Sequence, residues 1–271
     1  MSGQGGRTMS ERFRSWDNYR EGEGNLRARQ ALYDYRRPQI DLQGTVVDRI
    51  TLPPKRIVDV GCGNGMYLTR LREAFPEAEV IGVDRSPGMI AGLSEPAVVA
   101  DVRALPFADA SADVVLAMHM LYHVPDLQTA LDELGRVLAP GGVLFVSTLA
   151  SDDRPEYRRI WREAAKRALG AEVGSPSRMA LDHFSLETAQ AMLTERFASV
   201  RLHDFPGVLE VPEPAPLLDA YRSAESFMAM EPGDFDRVMR QVEADLDRHF
   251  ATEDLLRVTV HTGILECRGH R

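Results

Sequence analysis

Arg56-Ile57-Val58-Asp59-Val60-Gly61-Cys62-Gly63-Asn64-Gly65 is the stretch whose reading decides the fold. An apolar run rich in β-branched residues stops in three glycines at alternate positions. Met66-Tyr67-Leu68-Thr69-Arg70-Leu71-Arg72 then resumes at helical spacing. The pattern predicts a strand, a tight turn and a helix. Glycine accepts positive φ, and without a Cβ it lets a ligand lie against the peptide groups. The helix that follows offers unpaired N–H groups and the positive end of its dipole. In doubly wound sheets, turns of this kind at the C-terminal ends of parallel strands bind ligands.

The chain after this turn repeats the strand–helix alternation. Glu79-Val80-Ile81-Gly82-Val83-Asp84 is a second short strand that ends in an acid, 23 positions after Gly61. That is close to the offset of about 20 residues at which an acidic side chain meets ribose hydroxyls in nucleotide-binding folds. A strand-terminating Asp that caps the helix near Ser86-Pro87 is the alternative. Ala97-Val98-Val99-Ala100 ends in Asp101, and Asp113 to His119 is a fourth, buried strand. Asp126 suits the N-cap of a helix carrying Leu127, Ala130, Leu131, Leu134, Val137 and Leu138 at core spacing. Pro140-Gly141-Gly142 stops it, and Val143 to Thr148 is the fifth strand. Such alternation specifies a parallel sheet with helices on both faces.

Taken in order, Val-Asp-Val-Gly-Cys-Gly-Asn-Gly, Gly-Val-Asp-Arg-Ser and Ala-Asp-Val-Arg-Ala-Leu-Pro-Phe resemble a class I S-adenosylmethionine-dependent methyltransferase. Leu121-Tyr122-His123-Val124-Pro125-Asp126 and Leu138-Ala139-Pro140-Gly141-Gly142 continue the likeness, which covers roughly residues 36–149. The spacing Gly61-x-Gly63-x-Gly65 differs from the G-x-G-x-x-G of NAD enzymes. The resemblance implies an α/β fold: a seven-stranded, doubly wound Rossmann-like sheet with the last strand antiparallel, plus helical cap insertions. It implies that Gly61, Gly63, Asn64 and Gly65 hold the methionine part of S-adenosylmethionine, and that Asp84 with Arg85 meets the ribose side. Asp101 and the Val102 backbone would meet the adenine edge, Met118 would lie under the sulfonium, and His123 would stand on the cofactor side. Tyr122 occupies a position where many relatives have another histidine.

Arg36-Arg37-Pro38-Gln39-Ile40-Asp41-Leu42 resembles the corresponding segment of the trans-aconitate methyltransferase-like group, which implies Arg37 as a partner of the cofactor carboxylate. An ordinary surface arginine before a helix-kinking proline is the alternative. Methyl transfer from a sulfonium needs an acid–base residue only when the nucleophile arrives protonated. His119 lies outside the usual pattern and is the candidate base; a packed, pocket-lining histidine is the alternative. His119 and His123 at i, i+4 lack the Glu of an H-E-x-x-H motif, so no metal is expected. Asp152 and Asp153 stand where metal-dependent O-methyltransferases place acidic ligands, but a solvated helix start explains them more simply.

The remainder is read as follows. Residues 1–10 are expected to be a disordered tail and 11–54 an N-terminal helical lid. Phe13, Trp16 and Tyr19 line one edge of a short helix there, and a second helical pattern runs from Asn25 to Pro38. Residues 55–149 form the cofactor-binding core, 150–184 a cap segment, 185–211 a core helix and strand, 212–252 a helical cap insertion, and 253–271 the closing strand and tail. Gly174-Ser175-Pro176-Ser177 reads as a loop. Tyr157, Trp161, Phe184, Phe205, Phe227, Met228 and Met230 could line an apolar acceptor cavity or could simply be core.

The chain has 271 residues, 44% of them hydrophobic and 27% charged, and a net charge of −9. Nucleic-acid binding is dominated by phosphate neutralisation, which this charge opposes. No apolar run approaches the roughly 18 residues of a membrane span, and the polar start does not read as a signal peptide. Two cysteines, Cys62 and Cys267, make no disulfide framework. A cytoplasmic enzyme that methylates an oxygen or nitrogen of a small organic molecule, a specialised metabolite among the options, is expected. The oligomeric state is not legible. Two alternatives stay open: a catalytically silent cofactor-binding partner, and an enzyme that uses the cofactor's aminocarboxypropyl arm.

Overall fold

The computed structural model describes residues 24–94, 96–171, 173–174, 181, 183–225, 228 and 230–271. The expected tail, the helix with Phe13, Trp16 and Tyr19, most of the 174–177 loop and Phe227 lie outside the described residues. Among the described residues one mixed sheet has eight strands. They are β1 (Arg36–Arg37), β2 (Arg56–Val60), β3 (Glu79–Asp84), β4 (Ala97–Val99), β5 (Ala112–Met118), β6 (Leu138–Leu149), β7 (Phe197–Val211) and β8 (Leu256–His270). Their spatial order is β1-β7-β8-β6-β5-β2-β3-β4. Strands β2 to β6 are parallel, and β8 runs antiparallel to both β6 and β7. The expected seven-stranded sheet is present, and β1 adds a two-residue edge against β7 through Arg36↔Leu209 and Arg37↔Val208.

Strands β2 and β5 are buried on both faces, as parallel strands are when helices cover the sheet. On one face Leu127, Ala130, Leu131 and Leu134 of α5 (Leu127–Val137) and Leu193 of α7 (Leu186–Arg196) pack on Val58, Val115 and Val146. On the other, Val46 of α2 (Leu42–Arg49) and Leu68 and Leu71 of α3 (Met66–Ala74) meet Ile57, Leu116 and Phe145. The predicted Asp126 cap forms, its side chain accepting from Thr129 N at 3.1 Å, and Ser185 and Thr188 make a capping box at the start of α7.

A third cluster lies beyond the sheet's C-terminal edge. The far ends of β7 and β8 carry Leu209, Val211, Val258 and Val260 into a cap. There they pack with α6 (Pro155–Leu169), α8 (Pro214–Arg222) and α9 (Pro232–Phe250). Trp161, Tyr221 and Phe235 form its centre. Strand β7 passes through Pro206 without ending; its antiparallel register with β8 is unbroken from Ser199 to Val211. Within the expected cap insertion the first helix, α8, ends at Arg222.

The N-terminal section differs from a helix reaching Pro38. Helix α1 (Gly24–Ala31) ends in a 3-10 turn over Leu32–Tyr35, and the chain then extends as β1. The reason is a tertiary bond set. Arg36, 2% exposed, donates to Phe205 O (2.8 Å), Pro206 O (3.0 Å) and Pro38 O, so it ties the chain before Pro38 to β7 at its proline.

Candidate active site

The opening stretch folds as its glycines dictate. Gly61, Gly63 and Gly65 have φ of +71°, +54° and +78°. Gly61 N and Cys62 N both donate to Val83 O, at 2.7 and 3.0 Å, which turns the chain sharply off β2. A Cβ on Gly61 would meet Met120 Cβ at 2.6 Å, so only glycine fits there. A Cβ on Gly63 would point at Leu26 Cδ2, 3.3 Å away. Helix α1 therefore lies over the turn, and Asn64 Nδ2 donates to Gln30 Oε1 at 3.0 Å.

Asp84 stitches the turn to the end of β3. Its Oδ2 accepts from Gly63 N (3.0 Å) and its Oδ1 from Ser86 N (2.8 Å). A carboxylate has about four acceptor positions, so each oxygen keeps capacity for a further donor such as a hydroxyl. Burial raises the Asp84 pKa, and the backbone donors Ser86, Gly63 and Arg85 oppose that rise. Behind the turn, Asp59 is 1% exposed, and among the described residues its Oδ2 has no hydrogen-bond partner. Burial, reinforced by Asp84, pushes the Asp59 carboxyl up to about 7.

Asp101 follows β4. Arg103 holds it by Nε–Oδ1 (3.0 Å), Nη2–Oδ2 (2.8 Å) and its backbone N–H, with Arg85 3.7 Å from Oδ2. This hydrogen bonding lowers the Asp101 pKa. Asp101 thus orders its own loop, and the buried Val102 follows directly. The same loop is pinned further on: Leu105 N donates to Glu133, and Arg136 donates to Leu105 O and Phe107 O.

Met118 ends β5, 7% exposed, on the face that also carries Cys62 and Tyr67. His119 then adopts a left-handed φ of +53° and is half-buried. Its N–H points to Ser147 O and Oγ, at 3.1 and 2.9 Å, and its Nε2 is 3.4 Å from Thr262 Oγ1. Burial, and then the charge of Arg154, push its imidazole down to about 4. Burial and then Arg29 push His123 down to about 3. Both rings are neutral at pH 7. Arg37 lies apart from these groups: its guanidinium donates to Asp34 O and Arg36 O from an exposed position. None of its hydrogen bonds among the described residues reaches the glycine turn.

One group was not legible in the sequence. Asp153, expected at a solvated helix start, is fully buried. Its Oδ1 accepts from His261 N (2.9 Å) and its Oδ2 from Arg154 Nε (2.6 Å). Arg154, in a left-handed conformation at the start of α6, lies 5.8 Å from the Tyr157 ring centroid, and its charge acts on Tyr33, Tyr157 and His119. The Ser151-Asp152-Asp153-Arg154-Pro155 string gives only a helix start; the burial comes from β8, more than a hundred residues downstream. Of the expected acceptor-lining group, Trp161 and Phe184 are core and Tyr157 borders this cluster. Among the described residues no group of three or more His, Cys, Asp or Glu side chains could hold a metal ion.

Residues 58–146 match the family model described as a methyltransferase domain, and the sheet is the Rossmann-like sheet of methyltransferases. The chain is 39% identical over 115 residues to malonyl-[acyl-carrier protein] O-methyltransferase of Hahella chejuensis, covering 40% of this chain and 41% of that one. It is 32% identical over 137 residues to trans-aconitate 2-methyltransferase of Variovorax paradoxus, covering 48% and 53%. It thus spans about two-fifths to one-half of the length of these relatives. Among solved structures, phosphoethanolamine N-methyltransferase 2 of Haemonchus contortus, in complex with S-adenosyl-L-methionine, superposes with a TM-score of 0.54. At 14% identity, covering 100% of this chain and 62% of that one, it shares the fold.

Proposed function

We propose that the protein is an S-adenosylmethionine-dependent methyltransferase that acts on an oxygen or nitrogen of a small organic molecule. The observation that carries the reading is the junction of Gly63 with Asp84, within the segment that matches a methyltransferase domain. The fit to the cofactor is chemical as well. Asp59 Oδ2, buried without a partner behind the glycine turn, leaves an acceptor unfilled beside a place suited to a cationic ligand. The backbone of Gly61 to Gly65 and Asn64 would hold the methionine part, Asp84 and Arg85 the ribose, and Asp101 with Val102 the adenine. Met118 would lie beneath the sulfonium, with His123 nearby; Arg37 keeps only the support of the resemblance. When bound, the cofactor supplies an electrophilic methyl group. The chain's part is then to align the acceptor and exclude water.

Residues 55–149 serve in this reading as the cofactor-binding core, under a lid from 11–54 and a roof from 150–184 and 212–252. Residues 185–211 and 253–271 complete the sheet. No helix among the described residues is long and apolar enough to cross a membrane; a cytoplasmic location is part of this reading. A net charge of −9 supports a small-molecule acceptor over nucleic acid.

The test is calorimetric titration with S-adenosylhomocysteine together with transfer of labelled methyl to a broad acceptor panel. Binding and transfer are expected. Tight binding without transfer to any acceptor would favour the silent-partner reading, and absence of binding would remove the proposal.

A further inference from the structure

We infer that His119 offers its Nδ1 to a hydrogen on the acceptor, and that Thr262 of β8 is the positioning residue that turns the ring to do so. The inference rests on the methyl-transfer reading above and adds the group that meets the acceptor's O–H or N–H.

The first support is a count of hydrogens. Thr262 Oγ1 lies 3.1 Å from Thr148 O, a carbonyl that only accepts, so the hydroxyl hydrogen is committed there. The same oxygen is 3.4 Å from His119 Nε2 and meets it with a lone pair, which puts a hydrogen on Nε2. Burial, and then the charge of Arg154, keep the ring neutral at pH 7. A neutral imidazole has one N–H and one acceptor nitrogen, so Nδ1 carries the lone pair. Among the described residues Nδ1 makes no hydrogen bond. Nor is it sealed in: the fully buried side-chain atoms without a partner among those residues are Arg36 Nε, Asp59 Oδ2 and Trp161 Nε1. Nδ1 is therefore within reach of a ligand.

The second support is the cost of the arrangement. His119 holds a left-handed φ of +53°, which strains a residue that has a side chain. Ser147 O and Oγ keep it there by accepting from the His119 N–H at 3.1 and 2.9 Å. Ser147, Thr148 and Thr262 are all buried, although Phe145, Val146 and Ile264 make the surrounding strand ends apolar. A buried hydroxyl is costly unless it is bonded, and valine would fill the place of Thr262 in the strand without one. The hydroxyls of Ser147 and Thr262 both reach His119, one at its backbone and one at its ring. Packing of the sheet alone does not call for them.

The third support is position. His119 directly follows Met118 at the end of β5, and Thr262 pairs with Leu149 at the end of β6. Doubly wound folds bind ligands at these C-terminal strand ends. A hydroxyl or amine held there gives up a hydrogen during transfer. A lone pair on its oxygen or nitrogen forms the bond to the methyl carbon as the carbon–sulfur bond breaks, and that electron pair stays on sulfur. The acceptor's hydrogen passes as a proton to Nδ1. An imidazole pushed down to about 4 holds that proton weakly and yields it to water. A methyl ether or a methylated amine and a neutral thioether result.

The full chain, carrying isotope-labelled histidine, should be read by long-range proton–nitrogen spectra at pH 7, alone and with S-adenosylhomocysteine. His119→Asn assigns the signals. His119 is expected in the Nε2–H form, with that hydrogen slow to exchange into water. Thr262→Val should speed the exchange about tenfold or more, and Thr262→Ser should restore it. Transfer of labelled methyl should be run with catechol, cinnamyl alcohol, tyramine and tryptamine beside cinnamate and phenylacetate. Label is expected on a hydroxyl or an amine. With that acceptor, Thr262→Val should lower kcat about tenfold and Thr262→Ser should recover most of it, while His119→Gln loses about a hundredfold. Affinity for S-adenosylhomocysteine should stay unchanged in all three variants, which also shows that they fold. The inference is overturned if His119 carries its hydrogen on Nδ1, if Thr262→Val exchanges and turns over as the parent does, or if only the carboxylic acids are methylated. Failure to bind S-adenosylhomocysteine, or to methylate any acceptor, counts against the methyl-transfer reading instead, and the spectra still judge His119 and Thr262.

Discussion

Asp59 is the residue whose electrostatics reach furthest into measurable behaviour. An unfolded chain would titrate this carboxyl near 4, whereas the folded protein holds its proton up to about 7. Between those values the folded state binds more protons, so this residue's contribution to stability falls as pH rises from about 4 to about 7. Asp59→Asn removes that penalty. Relative to the parent, the variant should gain little at pH 4 and on the order of 2–4 kcal/mol at pH 8, read by urea unfolding of the ligand-free proteins. A pH-independent difference between the two would show that Asp59 is ionised in both states. Asp84→Ala acts differently, because it removes the acceptor expected to meet ribose. S-adenosylhomocysteine should bind more weakly by about 1.5–3 kcal/mol, the range for hydrogen bonds to a charged group. Unchanged affinity in a calorimeter would end the ribose assignment.

At the scale of elements, the glycine turn and the N-terminal segment each depend on one tight junction. Gly63→Ala places a Cβ at φ +54° and 3.3 Å from Leu26 Cδ2, so it strains the turn and lifts α1 from it. Cofactor affinity should drop about tenfold or more while the melting temperature changes little, since Gly63 itself belongs to none of the three apolar clusters. Arg36→Met should cost about 2–4 kcal/mol in urea unfolding, because a guanidinium on a residue only 2% exposed and its bonds to the Phe205, Pro206 and Pro38 carbonyls are lost together. A cost below about 0.5 kcal/mol would mean that water replaces the guanidinium. These junctions also show where sequence reading reaches its limit. The strand, turn and acid at residues 56–84 were legible because every signal is local: glycine spacing, apolar run, offset. Arg36, Asp153 and Arg154 were not, because their burial is created by β7 and β8, far away in the chain. Two adjacent arginines before a proline look alike in sequence, and only the pairing with β7 makes Arg36 the buried one and Arg37 the exposed one.

For the molecule as a whole, the decisive fact is that two strands belong to two cores. Strands β7 and β8 close the sheet at one end and carry Leu209, Val211, Val258 and Val260 into the helical cap at the other. Heating should therefore melt core and cap in one transition, seen at the same temperature by far-ultraviolet circular dichroism and by Trp161 fluorescence. Two separated transitions would mean that the cap folds on its own. The order of the core strands followed from their alternation with helices. The length of β7 and β8 did not, because Pro206 reads as an interruption until Arg36 is seen to donate to the carbonyls beside it.

The continuous ribbon also sets the terms for anyone who would give this scaffold a new acceptor. A roof joined by loops could be exchanged by cutting at its two ends. Here the cap's floor joists are the same timbers as the edge of the sheet, so a transplanted cap brings its own β7 and β8 or arrives without support.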